Sequence, residues 1–274
     1  MMDSELILKH QAVKAQLSGY DSVIVAFSGG VDSSLVAYLA NEVLGDKALA
    51  ITSGSASLKR SDLMLTQELA AKWGMAHRTI TTDELTKAAY RNNPTNRCFH
   101  CKTSLYTALR EIADRDGFSE ILNGTNCDDL GDHRPGLVAA DDHGVKSPLV
   151  DAGFTKHDIR QLADHLQLEN AQKPQAACLS SRFPYGTAIN EQLLAQVEQA
   201  ENALSNLGFT QFRVRHHGEI ARLELLPVEF DKAIELGSQI ETAIKACGYK
   251  FVAMDLRGFR SGSLNEGIID VVQV

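Results

Sequence analysis

One stretch limits the fold more than any other: Ser22-Val23-Ile24-Val25-Ala26-Phe27-Ser28-Gly29-Gly30-Val31-Asp32-Ser33-Ser34-Leu35-Val36-Ala37-Tyr38-Leu39. The apolar run from Val23 to Phe27 predicts a buried strand. Ser28-Gly29-Gly30 predicts a tight turn. Asp32, Ser33 and Ser34 then open an amphipathic helix with Leu35, Val36 and Leu39 on one face. A strand that runs through paired glycines into a helix N-terminus converges backbone amides on an anion, and the helix dipole favours negative charge there. Ser28, Ser33 and Ser34 add hydroxyl donors. The spacing is neither GxxxxGK[ST], since no lysine follows the glycines, nor GxGxxG.

The rest of the chain alternates strand and helix around this unit. A helix is predicted over 4–17, with Leu6, Ile7, Val13 and Leu17 inward. Strands follow at 48–52, 76–81 and 119–123, with a helix over 58–73. Such β-α-β alternation predicts a doubly wound parallel sheet, which places ligands at the carboxyl ends of its strands. An irregular loop over 92–102 carries Cys98 and Cys101 and leads into a helix ending near Asp114. The strand at 119–123 delivers Thr125, Asn126, Cys127, Asp128 and Asp129 to the rim of the glycine turn. Asp128, Asp129 and Asp132 suit either Mg²⁺ beside phosphates or the capping of the next turn. A fifth strand is predicted at 146–150, then a helix over 155–166 with Thr155 as N-cap and Asp158 at capping-box spacing. The segment 173–186, with two prolines and a glycine, is neither helix nor strand. The domain boundary falls in it, giving domains 1–175 and 176–274. Beyond it come a helix over 190–207, strands at 210–215 and 220–226, helices within 228–246 and a strand at 250–256: a smaller α+β domain.

With 27 Lys and Arg against 35 Asp and Glu the net charge is −8, which disfavours a nucleic-acid partner. No apolar run reaches membrane-spanning length, and the N-terminus lacks a signal pattern, so the chain reads as cytoplasmic. Five cysteines in such a chain suit metal or catalytic use better than disulfides. Cys98-x-x-Cys101 alone is compatible with a redox pair, half a zinc site or part of an iron–sulfur site. Cys178, between Lys173 and Arg182, has positive neighbours that favour a thiolate. With it, three thiolates are available, Cys127 being a fourth or a bystander. Cys247 reads as core.

SGGVDS resembles the PP-loop of ATP pyrophosphatases, which split ATP into AMP and pyrophosphate. Together with NRCFHCK, NGTNCDD, SPLVDAGFTKHDIR, ACLSSRFPYG, FRVRHHGEIARLE and FVAMDLRGFRSGSLNE, it resembles the LarE family along nearly the whole chain. These are ATP-dependent sulfur transferases of nickel-pincer nucleotide biosynthesis. The resemblance implies an adenine nucleotide alpha hydrolase-like PP-loop domain followed by a smaller substrate-binding and oligomerising domain, assembled as a hexamer. It implies ATP with Mg²⁺ at Ser28, Gly29, Gly30, Val31, Asp32, Ser33, Thr125, Asn126 and Asp129. The implied substrate is pyridinium-3,5-biscarboxylic acid mononucleotide. Its phosphate would meet Ser181, Arg182, Arg213, Arg215 and Arg260, whose planar forks suit phosphate. Cys178 matches the sulfur-bearing cysteine. Having Cys98 and Cys101 as well, the chain is similar to the branch whose three cysteines hold a 4Fe–4S cluster.

The chemistry is coherent, because a carboxylate needs AMP as a leaving group before a sulfur nucleophile can displace it. Three other readings stay open on sequence: a PP-loop tRNA thiolase, an ammonia-using amide synthetase of the NAD or GMP synthetase type, and a nucleotide-binding sensor that does not turn ATP over.

Overall fold

A computed structural model describes residues 3–130, 135–175, 177–260 and 262–265; Asp132 lies outside them. The chain divides into two compact units. Met1–Thr86 and Asn96–Ala176 form the first; Lys87–Thr95 and Ala177–Val274 form the second.

In the first unit, α1 (Ser4–Ser18) precedes β1 (Val23–Ala26), α2 (Val31–Leu44), β2 (Ala48–Ser53), α3 (Arg60–Lys72) and β3 (His77–Ile80). The short α4 (Ala88–Arg91) belongs to the second unit. The first unit resumes with α5 (Arg97–Asp116), β4 (Glu120–Leu122), α6 (Pro135–Asp142), α7 (Pro148–Asp151) and α8 (Lys156–His165). Its sheet is parallel with the order β3-β2-β1-β4. Alternation along β1 sorts the core. Val23, Val25 and Phe27 pack with residues of α1, α2 and α8, while Ile24 and Ala26 pack with residues of α5 and α6. Both faces are therefore covered, which is why β1 is apolar throughout. The winding reverses at β1, so the switch point lies between β1 and β4. In an open sheet that switch point is where ligands bind.

Three expectations change. The strand predicted at 146–150 is a single bridge, Lys146 to Leu122, followed by α7. Pro148 has no N–H to give a ladder, and its fixed φ suits the first turn of a helix. The loop predicted over 92–102 ends early, since α5 starts at Arg97 and carries both cysteines in its first turn. On α1, Leu6, Val13 and Leu17 are buried, whereas Ile7 is 39% exposed. The capping box at Thr155 is formed: Thr155 N–H donates to Asp158 Oδ2 and Asp158 N–H to Thr155 Oγ1, at 2.8 and 3.2 Å.

In the second unit, α9 (Glu191–Asn206), α10 (Phe230–Glu235) and α11 (Gly237–Ala246) pack on one face of a mixed sheet. Its order is β5 (Phe212–His217), β6 (Ile220–Leu225), β7 (Phe251–Met254), antiparallel then parallel. Ala200, Leu204, Val214, Leu223 and Ile244 make its core. Cys247 is half-buried against that core, and burial pushes its thiol pKa up.

Candidate active site

The glycine turn sits where the sequence places it, between the end of β1 and the first turn of α2. Gly29 has φ +72°, and a Cβ there would stand 3.0 Å from Thr66 Cγ2, so only glycine suits the position. Ser33 Oγ knits the turn: it accepts from Ser28 N–H at 3.2 Å and donates to Gly30 O at 3.1 Å. Gly30 is the N-cap and offers no side chain to the first-turn amides, which stay available to an outside anion.

The exit of β4 closes on the same helix end. A Cβ at Gly124 would lie 2.5 Å from Ser33 N, so the two backbones approach as closely as atoms allow. Thr125 N–H donates to Asn123 Oδ1, and Asn126 caps a short turn over Cys127–Asp129. Both expected acids are engaged in capping. Asp129 accepts from Asn126 N–H at 3.2 Å, and Asp128 from Lys156 N–H, at the start of α8, at 2.7 Å. Cys127 is half-buried, with its Sγ–H directed at Val150 O.

The turn lacks a following lysine, but the tertiary structure brings two from elsewhere. Lys156 pairs with Asp32, and Lys173 pairs with Asp62 of α3 while donating to Gly29 O. Lys156 falls inside the capping box and Lys173 in an irregular segment, so neither advertises a link to the glycines.

Cys98 and Cys101 stand one turn apart on α5, the first exposed and the second half-buried. Residues at i and i+3 share a helix face. Among the described residues, no group of three or more His, Cys, Asp or Glu side chains is gathered closely enough to hold a metal ion, and all five cysteines are free thiols.

Cys178, exposed, opens a 3₁₀ turn over Leu179–Arg182. The turn is held from three sides within the second unit. Arg182 is 3% exposed; its Nε and Nη2 donate to Glu201 Oε1 and Oε2 at 2.8 and 3.2 Å, and its Nη1 to Ala177 O at 2.8 Å. Arg215, 2% exposed, donates to Ser181 O, to Glu224 Oε2 and to Ser263 Oγ. Tyr90 Oη shares a 2.6 Å bond with Ser180 Oγ, and Asn93 Nδ2 donates to Pro184 O at 2.8 Å. Those last two contacts explain why Lys87–Thr95 belongs to the second unit. Ser181 Oγ–H donates to Cys178 O.

Arg213 and Arg215 lie on one face of the sheet, opposite Glu224 and Arg222. Arg213 stacks 4.6 Å over Phe259 and donates to Arg260 O; Arg260 in turn pairs with Asp255. Burial, then the charges of Arg215 and Arg182, push the Arg213 guanidinium below its ordinary pKa. Glu224 and Glu201 oppose that shift, since each is forked to one of the neighbouring arginines, Glu201 to Arg182 and Glu224 to Arg215; Arg215 Nε is buried with no partner among the described residues. The idle Arg215 Nε is a donor left over for an anion.

Glu201 and Glu224 are not among the residues that the sequence motifs mark. Glu201 carries a readable signal, since Leu194, Val197, Glu201 and Leu204 trace one buried stripe and a carboxylate within it needs a cation. Tyr90 and Asn93 carry none.

A family model described as NAD synthase matches residues 4–107. The chain is 42% identical to an uncharacterised protein of Synechocystis sp. over 89% of this chain and 92% of that one. It is 36% identical to the pyridinium-3,5-bisthiocarboxylic acid mononucleotide synthase of Lactiplantibacillus plantarum, covering 95% of each chain. The tRNA-specific 2-thiouridylase MnmA of Rickettsia typhi is 28% identical, over 62% of this chain and 58% of its own. A glycine turn at the switch point of a parallel sheet, with similarity to the synthase extending over both units, places the chain in the LarE family of PP-loop, ATP-using sulfurtransferases.

Proposed function

We propose that the protein adenylates a carboxylate of pyridinium-3,5-biscarboxylic acid mononucleotide and replaces the AMP with sulfur. One observation carries this reading: the synthase named for the bisthiocarboxylic product matches this chain over 95% of both lengths, whereas the thiouridylase match covers 62%. In the first step a substrate carboxylate oxygen attacks the α-phosphorus of ATP, and the bond to the β-phosphate oxygen breaks. The leaving pyrophosphate meets the amides of Gly30, Val31, Asp32 and Ser33, with the hydroxyls of Ser28 and Ser33 and with Thr125 and Asn126 beside it. Asp32, paired here with Lys156, and Asp129, which accepts from the Asn126 N–H, would hold the Mg²⁺ of the ATP, with the Lys156 ammonium beside them. In the second step sulfur attacks the acyl carbon and AMP leaves. Arg213, Arg215 and Arg260, with Ser181 and Arg182, would take the substrate phosphate, Arg182 and Arg215 being held in place by Glu201 and Glu224.

Cys178 is the exposed thiol of the second unit's braced turn, and it is the proposed sulfur nucleophile. If its own sulfur is given up, the thiocarboxylate leaves by cleavage of the Cβ–Sγ bond with loss of the Cα proton, and dehydroalanine remains. An all-thiol donor set suits an iron–sulfur cluster. In the alternative sulfur source, Cys98, Cys101 and Cys178 would hold a 4Fe–4S cluster, which when bound supplies an open iron for hydrosulfide. Exposed Val228, Ile234, Phe251 and Leu256 support a homo-oligomer, a hexamer by resemblance. No helix among the described residues is long and apolar enough to cross a membrane, in keeping with a proposed cytoplasmic location.

The test is anaerobic turnover with ATP and the biscarboxylate nucleotide. Wild type should release AMP and pyrophosphate and form thiocarboxylate. Cys178→Ala should still release pyrophosphate but form no thiocarboxylate. Iron and sulfide analysis of the Cys98→Ala, Cys101→Ala and Cys178→Ala variants, with the mass of Cys178 after turnover, assigns the sulfur source. AMP release that needs tRNA or ammonia instead of the nucleotide would overturn the proposal.

A further inference from the structure

The glycine turn contains one peptide that only a single long hydrogen bond within the turn orients, Gly30 N–H to Ser28 Oγ at 3.4 Å. A flip of the Gly29–Gly30 peptide changes only ψ of Gly29 and φ of Gly30, and neither residue has a Cβ to resist it. In a planar trans peptide the carbonyl of residue 29 and the N–H of residue 30 point opposite ways. One orientation offers an amide to a phosphate and the other offers a carbonyl oxygen, which repels it.

Two side chains on the strap after α8 hold that carbonyl. Asn170 Nδ2 donates to Gly29 O at 3.0 Å, and Lys173 Nζ donates to the same oxygen at 3.3 Å. The Gly30 N–H is thereby turned away from the strap. Its nearest internal partner is Ser28 Oγ at a long 3.4 Å. Asn170 is 4% exposed, and its Oδ1 is buried without a hydrogen-bond partner among the described residues. Burying an amide with an idle acceptor is costly, so the residue is there for its donors. The second donor bond goes to Ser34 Oγ in the first turn of α2, at 2.7 Å. One side chain therefore ties together the turn and the helix end that face the anion. Lys173 is fixed in turn by Asp62, 2.8 Å away.

We infer that Asn170 and Lys173 are positioning residues that lock the Gly29–Gly30 peptide in its phosphate-binding orientation. The inference rests on the reading of the turn as the pyrophosphate site. Both side chains act through the carbonyl, on the side of the peptide opposite to its N–H.

Calorimetric affinities for inorganic pyrophosphate, ATP and AMP, with melting curves, test this on the full chain. Lys173→Met should weaken pyrophosphate and ATP about tenfold, the factor of one ordinary hydrogen bond, and leave AMP affinity as in wild type, with a small fall in melting from the unpaired Asp62. Lys173→Arg, which keeps a donor for Gly29 O, should restore most of the loss. Asn170→Asp sets a carboxylate oxygen against Gly29 O and should weaken pyrophosphate more than Lys173→Met does. Asn170→Ser, which removes the donors without burying a charge, should also weaken pyrophosphate but not AMP. The lock is overturned if both Asn170 variants bind pyrophosphate as wild type does; Lys173 would then act as a direct phosphate ligand. It is equally overturned if pyrophosphate and AMP weaken together as melting falls. Wild type that binds neither pyrophosphate nor ATP would overturn the reading of the turn itself.

Discussion

Replacing Gly124 by alanine should damage folding and phosphate binding together. An added Cβ would stand 2.5 Å from Ser33 N and 2.8 Å from Asp32 C and Ser33 Cα. Comfortable contacts between such atoms begin near about 3.5 Å, so the exit of β4 and the start of α2 must part by about 1 Å. All three atoms are backbone, and no side chain can swing aside. Overpacking of this kind costs about 1–3 kcal/mol. For a domain of this size that lowers melting by roughly 2–12 °C. The amides of Asp32 and Ser33 move with the helix end. Hydrogen bonds of about 2.9 Å tolerate little such displacement, so ATP affinity should fall at least about tenfold. Scanning calorimetry and equilibrium ATP binding give both numbers. Gly237→Ala is the control: nothing lies within 4 Å of its Cβ, and it should alter neither ATP affinity nor, downward, the melting temperature. A Gly124→Ala protein that melts and binds ATP like wild type would refute the claim that this close approach builds the site.

Two further outcomes concern the second unit. Glu201→Ala leaves Arg182, 3% exposed, without its fork partner and should cost about 3–5 kcal/mol, read as a loss in denaturant midpoint together with faster proteolysis around Cys178. His216 is 4% exposed, shares a hydrogen bond with Tyr249 Oη, and has its pKa lowered by burial and then by His217. The unfolded chain therefore binds a proton first as pH falls. Stability should be full above about pH 6.5 and decline below it until the folded-state pKa is passed. His216→Asn should make that decline shallower in pH-dependent denaturation, the remainder coming from His10, His77 and His217, whose pKa values burial also lowers.

The sheet, its winding and the place of the glycine turn were legible because they follow from local pattern. A run of apolar residues with glycines at its end needs no distant partner to be read. The capping box at Thr155 was legible for the same reason. Pro148 could have corrected the strand predicted at 146–150, because a missing N–H is also a local fact. The positions of Lys156, Asn170 and Lys173 around the turn were not legible. Each sits more than a hundred residues from the glycines, and its role depends on where α8 and the strap after it pack.

The sequence by itself determined that a glycine turn ends a buried strand and leads into a helix, and that thiols and arginines recur in later segments. Only the tertiary structure decided which arginines are already committed to buried carboxylates, and that Lys87–Thr95 braces the turn after Cys178. The reason is physical. Hydrophobic period and turn chemistry are properties of neighbours in the chain. The partner of a buried charge is fixed by which elements pack together, and no local pattern encodes that.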